Sequence, residues 1–352
     1  MEQNLKLKIM LKPTDKIAVW MESSLDDDYG KMGISALRYL DNEILCVVDS
    51  VYTGKKISEV SIIKKDIPIV ESIEKAKLMG ADVLLLGVLT SGGVRPKSWD
   101  SLIKEALDKG MSIINGLHDQ VSPDFSNYLV SQNQWIWDTR VPKFIPQIGS
   151  ARTAELTNKR VLMIGTDMAA GKMTTGLELF SYLKDKNINA GFVATGQVGI
   201  TVTGNGIPLD AYKLDHACGA VETAVLDQKE KDIVIVEGQG SILHPGSTAT
   251  LPLMRGTCPT HMILCHIARN DSLRSMENIK IPELKNFIKL NEDLASVLGT
   301  YPESKVIGIA LNTTQMSEAD AKDYINNVEK ETGVLAADVI RFGGDRIFSQ
   351  LL

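Results

Sequence analysis

Between Ile164 and Gly176 the chain reads Gly165-Thr166-Asp167-Met168-Ala169-Ala170-Gly171-Lys172-Met173-Thr174-Thr175. Glycines, a lysine and hydroxyl residues in this spacing are suited to holding phosphate. Successive backbone N–H groups of a Gly-rich turn face an anion, and the lysine ammonium reaches across it. That chemistry needs a strand before the turn and a helix after it. The apolar run Arg160-Val161-Leu162-Met163-Ile164 and the amphipathic run Gly176-Leu177-Glu178-Leu179-Phe180 supply both. Gly165, Thr166, Asp167, Ala170, Gly171, Lys172, Met173, Thr174 and Thr175 are the expected cofactor-binding set.

The usual phosphate loop has four residues between its glycines and a Ser or Thr directly after the Lys. Here five residues separate Gly165 from Gly171, and Met173 takes the hydroxyl position. That hydroxyl ordinarily holds Mg²⁺ against the β- and γ-phosphates, and a thioether is a poor ligand for a hard cation. Thr174 and Thr175 are the substitutes, each about 100° further round the helix per residue. The five-residue form opening on Gly-Thr-Asp resembles dethiobiotin synthetase and its ATP-dependent relatives.

A second constellation follows the apolar run Ile233-Val234-Ile235-Val236, which ends in Glu237-Gly238-Gln239-Gly240. Downstream of a phosphate loop, this is where a strand-end carboxylate holds a cation directly or through water. The run continues Ser241-Ile242-Leu243-His244-Pro245. His244 then stands past the carboxyl end of a strand, the edge where open α/β sheets bind ligands. There it is either a general base or a turn-capping imidazole. Cys258-Pro259-Thr260-His261-Met262-Ile263-Leu264-Cys265-His266 packs four potential N/S ligands into nine residues. His261 and Cys265 share one strand face while His266 points to the other, and no tight Cys knuckle is present. The expected reading is a core strand without metal, with His266 at its ligand-facing end.

In the first half, Gly87-Val88-Leu89-Thr90-Ser91-Gly92-Gly93-Val94-Arg95-Pro96 is a Gly-rich turn carrying a cation, suited to a carboxylate or phosphate. It lacks the dinucleotide spacing, so NAD is not indicated. Asn115-Gly116-Leu117-His118-Asp119 ends the next strand. Ordinary turn chemistry is the plainer reading of both. Asp26-Asp27-Asp28 reads as a solvated loop or helix start.

The elements that must position these residues alternate between strand and helix. Strands are expected at Lys16–Trp20, Ile44–Asp49, Asp82–Gly87 and Met111–Asn115, with helices between them. After Arg160 the alternation resumes, with strands at Ala190–Ala194, Ile233–Val236, His261–Ile267 and Val306–Ala310. Such alternation gives βαβ units and parallel sheets. The 352 residues make two domains. The proline-bearing segment Trp135–Pro146, leading to Gly149, marks the junction. The fold expected is α/β: a Rossmann-like parallel-sheet domain over residues 1–148, then a P-loop NTPase-like α/β domain over residues 149–352.

A net charge of −6 leaves no basic stripe for nucleic acid. The longest apolar run, Val83–Leu89, is too short to span a bilayer. No secretory h-region follows Met1, and four cysteines without a paired framework fit a reducing cytoplasm. A small-molecule substrate and a homo-oligomer, by default a dimer, are the expected partners.

The chain resembles a family of two-domain P-loop proteins long catalogued as a domain of unknown function, one branch of which is described as D-glutamate N-acetyltransferases. The matching features are Gly165 to Lys172, the Glu-Gly-Gln-Gly-Ser-x-x-His-Pro run at Glu237 to Pro245, Gly116 to His118, and Asp138 to Arg140. The resemblance implies acetyl transfer from acetyl-CoA to the amine of a D-amino acid, with D-glutamate the leading acceptor. The P-loop would then hold the phosphates of CoA. His244 is the expected base, with Glu237 orienting it or holding a cation, and Lys172 on the phosphates. Arg95, His118, Arg140, Gln239 and His266 are the expected substrate contacts. The competing expectations are an ATP- and Mg²⁺-dependent enzyme of the dethiobiotin synthetase type and a non-catalytic nucleotide-binding switch.

Overall fold

The computed structural model describes residues 11–352. They form two compact α/β units. The first comprises residues 11–143 together with Gln197–Pro208, and the second comprises Phe144–Gly196 with Leu209–Leu352.

The first unit is a six-stranded parallel sheet of β1 (Ile17–Trp20), β2 (Ile44–Val48), β3 (Ile69–Val70), β4 (Val83–Leu86), β5 (Ser112–Asn115) and β6 (Ile136–Asp138). Its order is β3-β2-β1-β4-β5-β6, the doubly wound arrangement with a reversal beside β1. Strands such as Val-Leu-Leu-Leu in β4 are buried throughout because helices cover both faces. The helices are α1 (Lys31–Tyr39), α2 (Ile57–Val60), α3 (Ile73–Leu78), α4 (Trp99–Asp108) and α5 (Ser122–Phe125). Trp20 and Trp99 meet edge-on at 4.5 Å in the core between β1 and α4. Asp27 accepts from the N–H groups of Tyr29 and Gly30, so the acidic run starts a short helix as expected.

The second unit holds β7 (Lys159–Gly165), α6 (Lys172–Asp185) and β8 (Ala190–Val193). The helix that follows, α7 (Gln197–Thr203), groups with the first unit, where it packs on α1. The chain returns through α8 (Leu214–Leu226), β9 (Ile233–Val236), α9 (Thr250–Thr257) and β10 (His261–Ile267). A hairpin of β11 (Ser272–Leu273) and β12 (Met276–Lys280) precedes α10 (Leu284–Ser296), β13 (Lys305–Asn312), α11 (Glu318–Thr332), β14 (Ala336–Ala337) and α12 (Asp345–Phe348). The sheet order is β14-β13-β10-β7-β9-β8, all parallel. β7 is therefore central, and the loops after β7, β9 and β10 leave one carboxyl edge.

At the opposite edge, Arg160 is fully buried. Its guanidinium donates to the carbonyls of Thr257, Cys258, Leu156 and Asn158, and to Asn158 Oδ1. The C-terminal end of α9 thus satisfies a buried cation, which locks the base of the sheet.

The units divide between Lys143 and Phe144, inside the proline-bearing segment expected to hold the junction, although β6 occupies its start and the boundary lies before the 148/149 position expected. Between β8 and β9 a 3₁₀ turn, Leu209–Ala211, precedes α8.

Candidate functional site

The loop from β7 to α6 turns on Gly171, whose φ of 100° lies in the left-handed region that favours glycine. Lys172 opens the helix and folds back, its Nζ donating to the Asp167 carbonyl at 2.8 Å. The side chain is 6% exposed. Burial holds its ammonium below the usual lysine range, opposed by Cys265, Asp167 and Glu237. Asp167 Oδ1 accepts from Met168 N at 2.6 Å and Oδ2 from Arg274 N at 2.7 Å. The Asp167 carboxylate thereby ties the β11–β12 hairpin to the loop.

Thr166 is held from two sides. Its carbonyl accepts from Ser241 Oγ at 3.0 Å, and its hydroxyl pairs with His266 Nδ1 at 2.9 Å. His266 Nε2 meets the Tyr324 hydroxyl of α11 at 3.3 Å. Burial pushes His266 down to about 4, so the ring is neutral at pH 7. Both ring nitrogens face protein groups. His266 is therefore a bridge that fixes the loop, in place of the substrate contact expected.

Glu237 stands immediately after β9. Its Oε2 accepts from the N–H groups of Thr195 at 2.8 Å and Gly196 at 3.2 Å, just beyond β8. The residue is 4% exposed, and burial pushes its carboxyl up to about 7 against the pull of those N–H groups and of Lys172. A carboxyl that titrates near neutrality exchanges protons at working pH. Gln239 Nε2 donates to Thr195 Oγ1 at 3.2 Å, and that hydroxyl donates to the Glu237 carbonyl at 2.9 Å. A Cβ on Gly238 would overlap the Met163 carbonyl and approach Lys172 Cδ at 3.0 Å. Glycine there lets the β9 loop pass directly over β7.

His244 is half-buried, and its Nδ1 accepts from Gly246 N at 3.1 Å. A backbone N–H only donates, so the neutral ring carries its proton on Nε2. In this geometry His244 presents a donor, not the base expected. A Cβ on Gly246 would lie 3.3 Å from His244 Cε1 and 3.8 Å from Met168 Cε, which places this loop beside the phosphate loop.

Met173 and Thr174 are half-buried, while Thr175 is buried and accepts from Cys265 Sγ at 3.5 Å. The Thr175 hydroxyl is thus engaged by β10. Cys265 lies inside the core strand foreseen for Cys258–His266, and burial pushes its thiol up to about 11. Among the described residues, no three His, Cys, Asp or Glu side chains gather as a metal site. A cavity of about 10 Å³, room for one water, borders Gly165, Lys172, Gln239, Thr250 and Asn291.

The other expected contacts lie in the first unit. Arg95 is paired with Asp100 and Asp124 and sits 5.0 Å from the Phe125 ring. Its charge is consumed by the scaffold, so the carboxylate role expected of it is corrected. His118 N donates to Gly93 O at 2.9 Å, which joins the loops after β4 and β5. Arg140 Nε donates to the Gly116 carbonyl at 2.9 Å. Sequence reasoning gave no role to Thr195, Gly196, Ser241 or Tyr324. Ser241 lay inside the quoted run from Glu237 to Pro245, and Thr195-Gly196 stands just past a strand as Glu237-Gly238 does.

A Rossmann-like sheet unit followed by a P-loop α/β unit defines the class of protein. Comparison with known families agrees. A Rossmann-like domain of unknown function (DUF1611_N) matches residues 50–142, and the P-loop domain of unknown function (DUF1611_C) matches residues 147–348. The chain belongs to the DUF1611 family. It is 34% identical over 283 residues to a D-glutamate N-acetyltransferase of a Pseudoalteromonas species, covering 80% of this chain and 84% of that one. A D-glutamate N-acetyltransferase of Tritonibacter scottomollicae is 32% identical over the same shares. The crystal structure of a DUF1611 family protein from Anabaena variabilis superposes with a TM-score of 0.90 at 39% identity, covering 96% of this chain and 99% of that one. No helix among the described residues is long and apolar enough to cross a membrane.

Proposed function

We propose that this protein is an N-acetyltransferase that moves the acetyl group of acetyl-CoA to the amine of a D-amino acid, D-glutamate first among them. The observation that carries the reading is the placement of Glu237. At one sheet edge, a phosphate-binding loop lies with a carboxyl that titrates at about 7. The similarity to two D-glutamate N-acetyltransferases supports the same chemistry.

In this reading the loop from Gly165 to Thr175 holds phosphates of CoA, which need no cation at the Met173 position. The acceptor amine attacks the thioester carbonyl, forming the C–N bond as the C–S bond breaks. Glu237 takes the amine proton and passes it to the departing thiolate, directly or through solvent, while the Nε2–H of His244 donates a hydrogen bond to the oxyanion. Glu237 thus replaces His244 as the base.

The test is thiol release from acetyl-CoA with D-glutamate as acceptor, with L-glutamate in parallel and the product confirmed by mass. D-Glutamate-dependent thiol release without ATP or divalent cation is the expected result. ADP release requiring Mg²⁺, with no thiol release, would establish the dethiobiotin synthetase-type alternative. Binding without either turnover would make the protein a nucleotide-responsive switch.

A further inference from the structure

β8 and β9 run parallel, and their ladder extends past both strands, with Glu237 N donating to Val193 O at 3.0 Å. In a parallel ladder a residue donates to one neighbour and accepts from the neighbour two positions further on. The next rung would therefore run from Thr195 N to Glu237 O. Two side chains replace it. Thr195 N donates to Glu237 Oε2 at 2.8 Å, and Glu237 O accepts from Thr195 Oγ1 at 2.9 Å. One threonine thus grips the strand end with its hydroxyl and the carboxyl with its amide.

The surroundings fix this exchange. Gln239 Nε2 donates to Thr195 Oγ1 at 3.2 Å, which leaves the hydroxyl proton for Glu237 O. Thr195 O accepts from Leu209 N at 3.1 Å, and the residue is 1% exposed. Gly196 N is a second donor to Glu237 Oε2, at 3.2 Å, and a Cβ there would lie 2.6 Å from Gln239 Nε2. Both bonds fall on one oxygen. Among the described residues, Glu237 Oε1 accepts no hydrogen bond. A second threonine–carboxylate pair in the same unit shows the contrast. Asp338 Oδ2 accepts from Thr313 N and Oγ1, and its Oδ1 accepts from Ile340 N and Arg341 N. That carboxylate is saturated on both oxygens and serves the scaffold.

We infer that Thr195 is the positioning residue for Glu237: its hydroxyl takes the Glu237 carbonyl, so that its amide holds one carboxyl oxygen and leaves the other for the acceptor amine. The catalytic part rests on Glu237 being the base, whereas the hold on the carboxyl does not. Valine has the shape of threonine without the donor. With valine at 195 the Glu237 carbonyl would draw the amide into the ordinary rung, and the carboxyl would lose that N–H. The N–H bonds favour the ionised carboxyl, as does Lys172 of α6, the charged group that acts on it among the described residues. Releasing the amide therefore raises the pH at which Glu237 ionises.

Wild type, Thr195→Val and Thr195→Ser are compared as full chains by thiol release against pH and by acetyl-CoA titration. Thr195→Val should lower kcat roughly 10- to 100-fold, keep acetyl-CoA affinity, and move the acid limb of kcat up by about one pH unit. Thr195→Ser should recover most of both changes. Gln239→Met, which lets the hydroxyl rotate, gives smaller shifts in the same direction if Thr195→Val fails to fold. An acid limb that stays in place, or a serine variant that behaves like valine, would overturn the inference. Infrared titration of the carboxyl band missing from Glu237→Gln reads the same ionisation without turnover. A band that shifts in Thr195→Val, with full kcat in Glu237→Gln, would keep the hold on the carboxyl and overturn Glu237 as the base. Loss of kcat in Glu237→Gln with a band unmoved by Thr195→Val would do the reverse.

Discussion

The carboxyl edges of the two sheets handle their charged side chains in opposite ways. At the P-loop edge, Lys172 and Glu237 are almost wholly buried, and burial drives each toward its neutral form. Around the Rossmann edge, Arg95 is locked between Asp100 and Asp124, and Asp138 is filled by three donors. On that side Arg95 Nε and Lys143 Nζ are buried without a hydrogen-bond partner among the described residues. Saturated charges build a scaffold, whereas desolvated ones with few partners store the capacity to bind or to move a proton. The first kind should cost stability when removed and the second kind activity.

Glu237→Gln tests the active side most severely. If Glu237 takes the amine proton, kcat should fall roughly 10²- to 10⁴-fold while acetyl-CoA affinity stays close to wild type. A kcat within a few-fold of wild type in the thiol-release assay would move Glu237 to the scaffold. Lys172→Ala comes next. Its loss should weaken the phosphate-bearing ligand by about 2–3 kcal/mol, or roughly 30- to 150-fold. An unchanged dissociation constant would remove the phosphate loop from the account.

The pH dependence of stability sharpens the comparison. Glu237 rises from 4.5 to about 7, so between those values the folded state keeps a proton that the unfolded chain has released. Its contribution is therefore lost as pH rises through that window, by about 3 kcal/mol in all. His266 falls from 6.5 to about 4, so the unfolded chain holds the extra proton and stability rises with pH between about 4 and 6.5. The two slopes oppose each other where they overlap. Denaturant titrations of wild type and Glu237→Gln should diverge with pH, the variant gaining relative stability from pH 4.5 to 7. A constant difference would show that burial does not raise the carboxyl. The smallest effect belongs to the scaffold. Arg95→Gln should lower stability by about 1–2 kcal/mol and leave the acceptor KM in place. A raised acceptor KM with unchanged stability would return Arg95 to the substrate.

Much of this contrast is visible in the sequence because phosphate chemistry is local. Gly165, Gly171 and Lys172 lie within eight residues, and the strands flanking them carry long apolar runs. Glu237 was legible for the same reason, as an acid directly after four buried residues. Strands of two or three residues, such as β3, β6 and β14, carry too little periodicity to stand out. The grouping of α7 with the first unit is a tertiary fact with no local signature. Arg95 misled because a cation after a Gly-rich turn reads alike whether its partner is substrate or protein. Asp100 and Asp124 decide it, and Asp124 lies 29 residues away. The donor state of His244 depends on a single backbone N–H, that of Gly246, which residue types do not reveal.

The most direct test is calorimetric titration of wild type and Lys172→Ala with acetyl-CoA, and separately with ATP plus Mg²⁺. Micromolar acetyl-CoA binding that collapses in the variant, with weak ATP binding, is the predicted result. Tight Mg²⁺-dependent ATP binding with no response to acetyl-CoA would contradict the account.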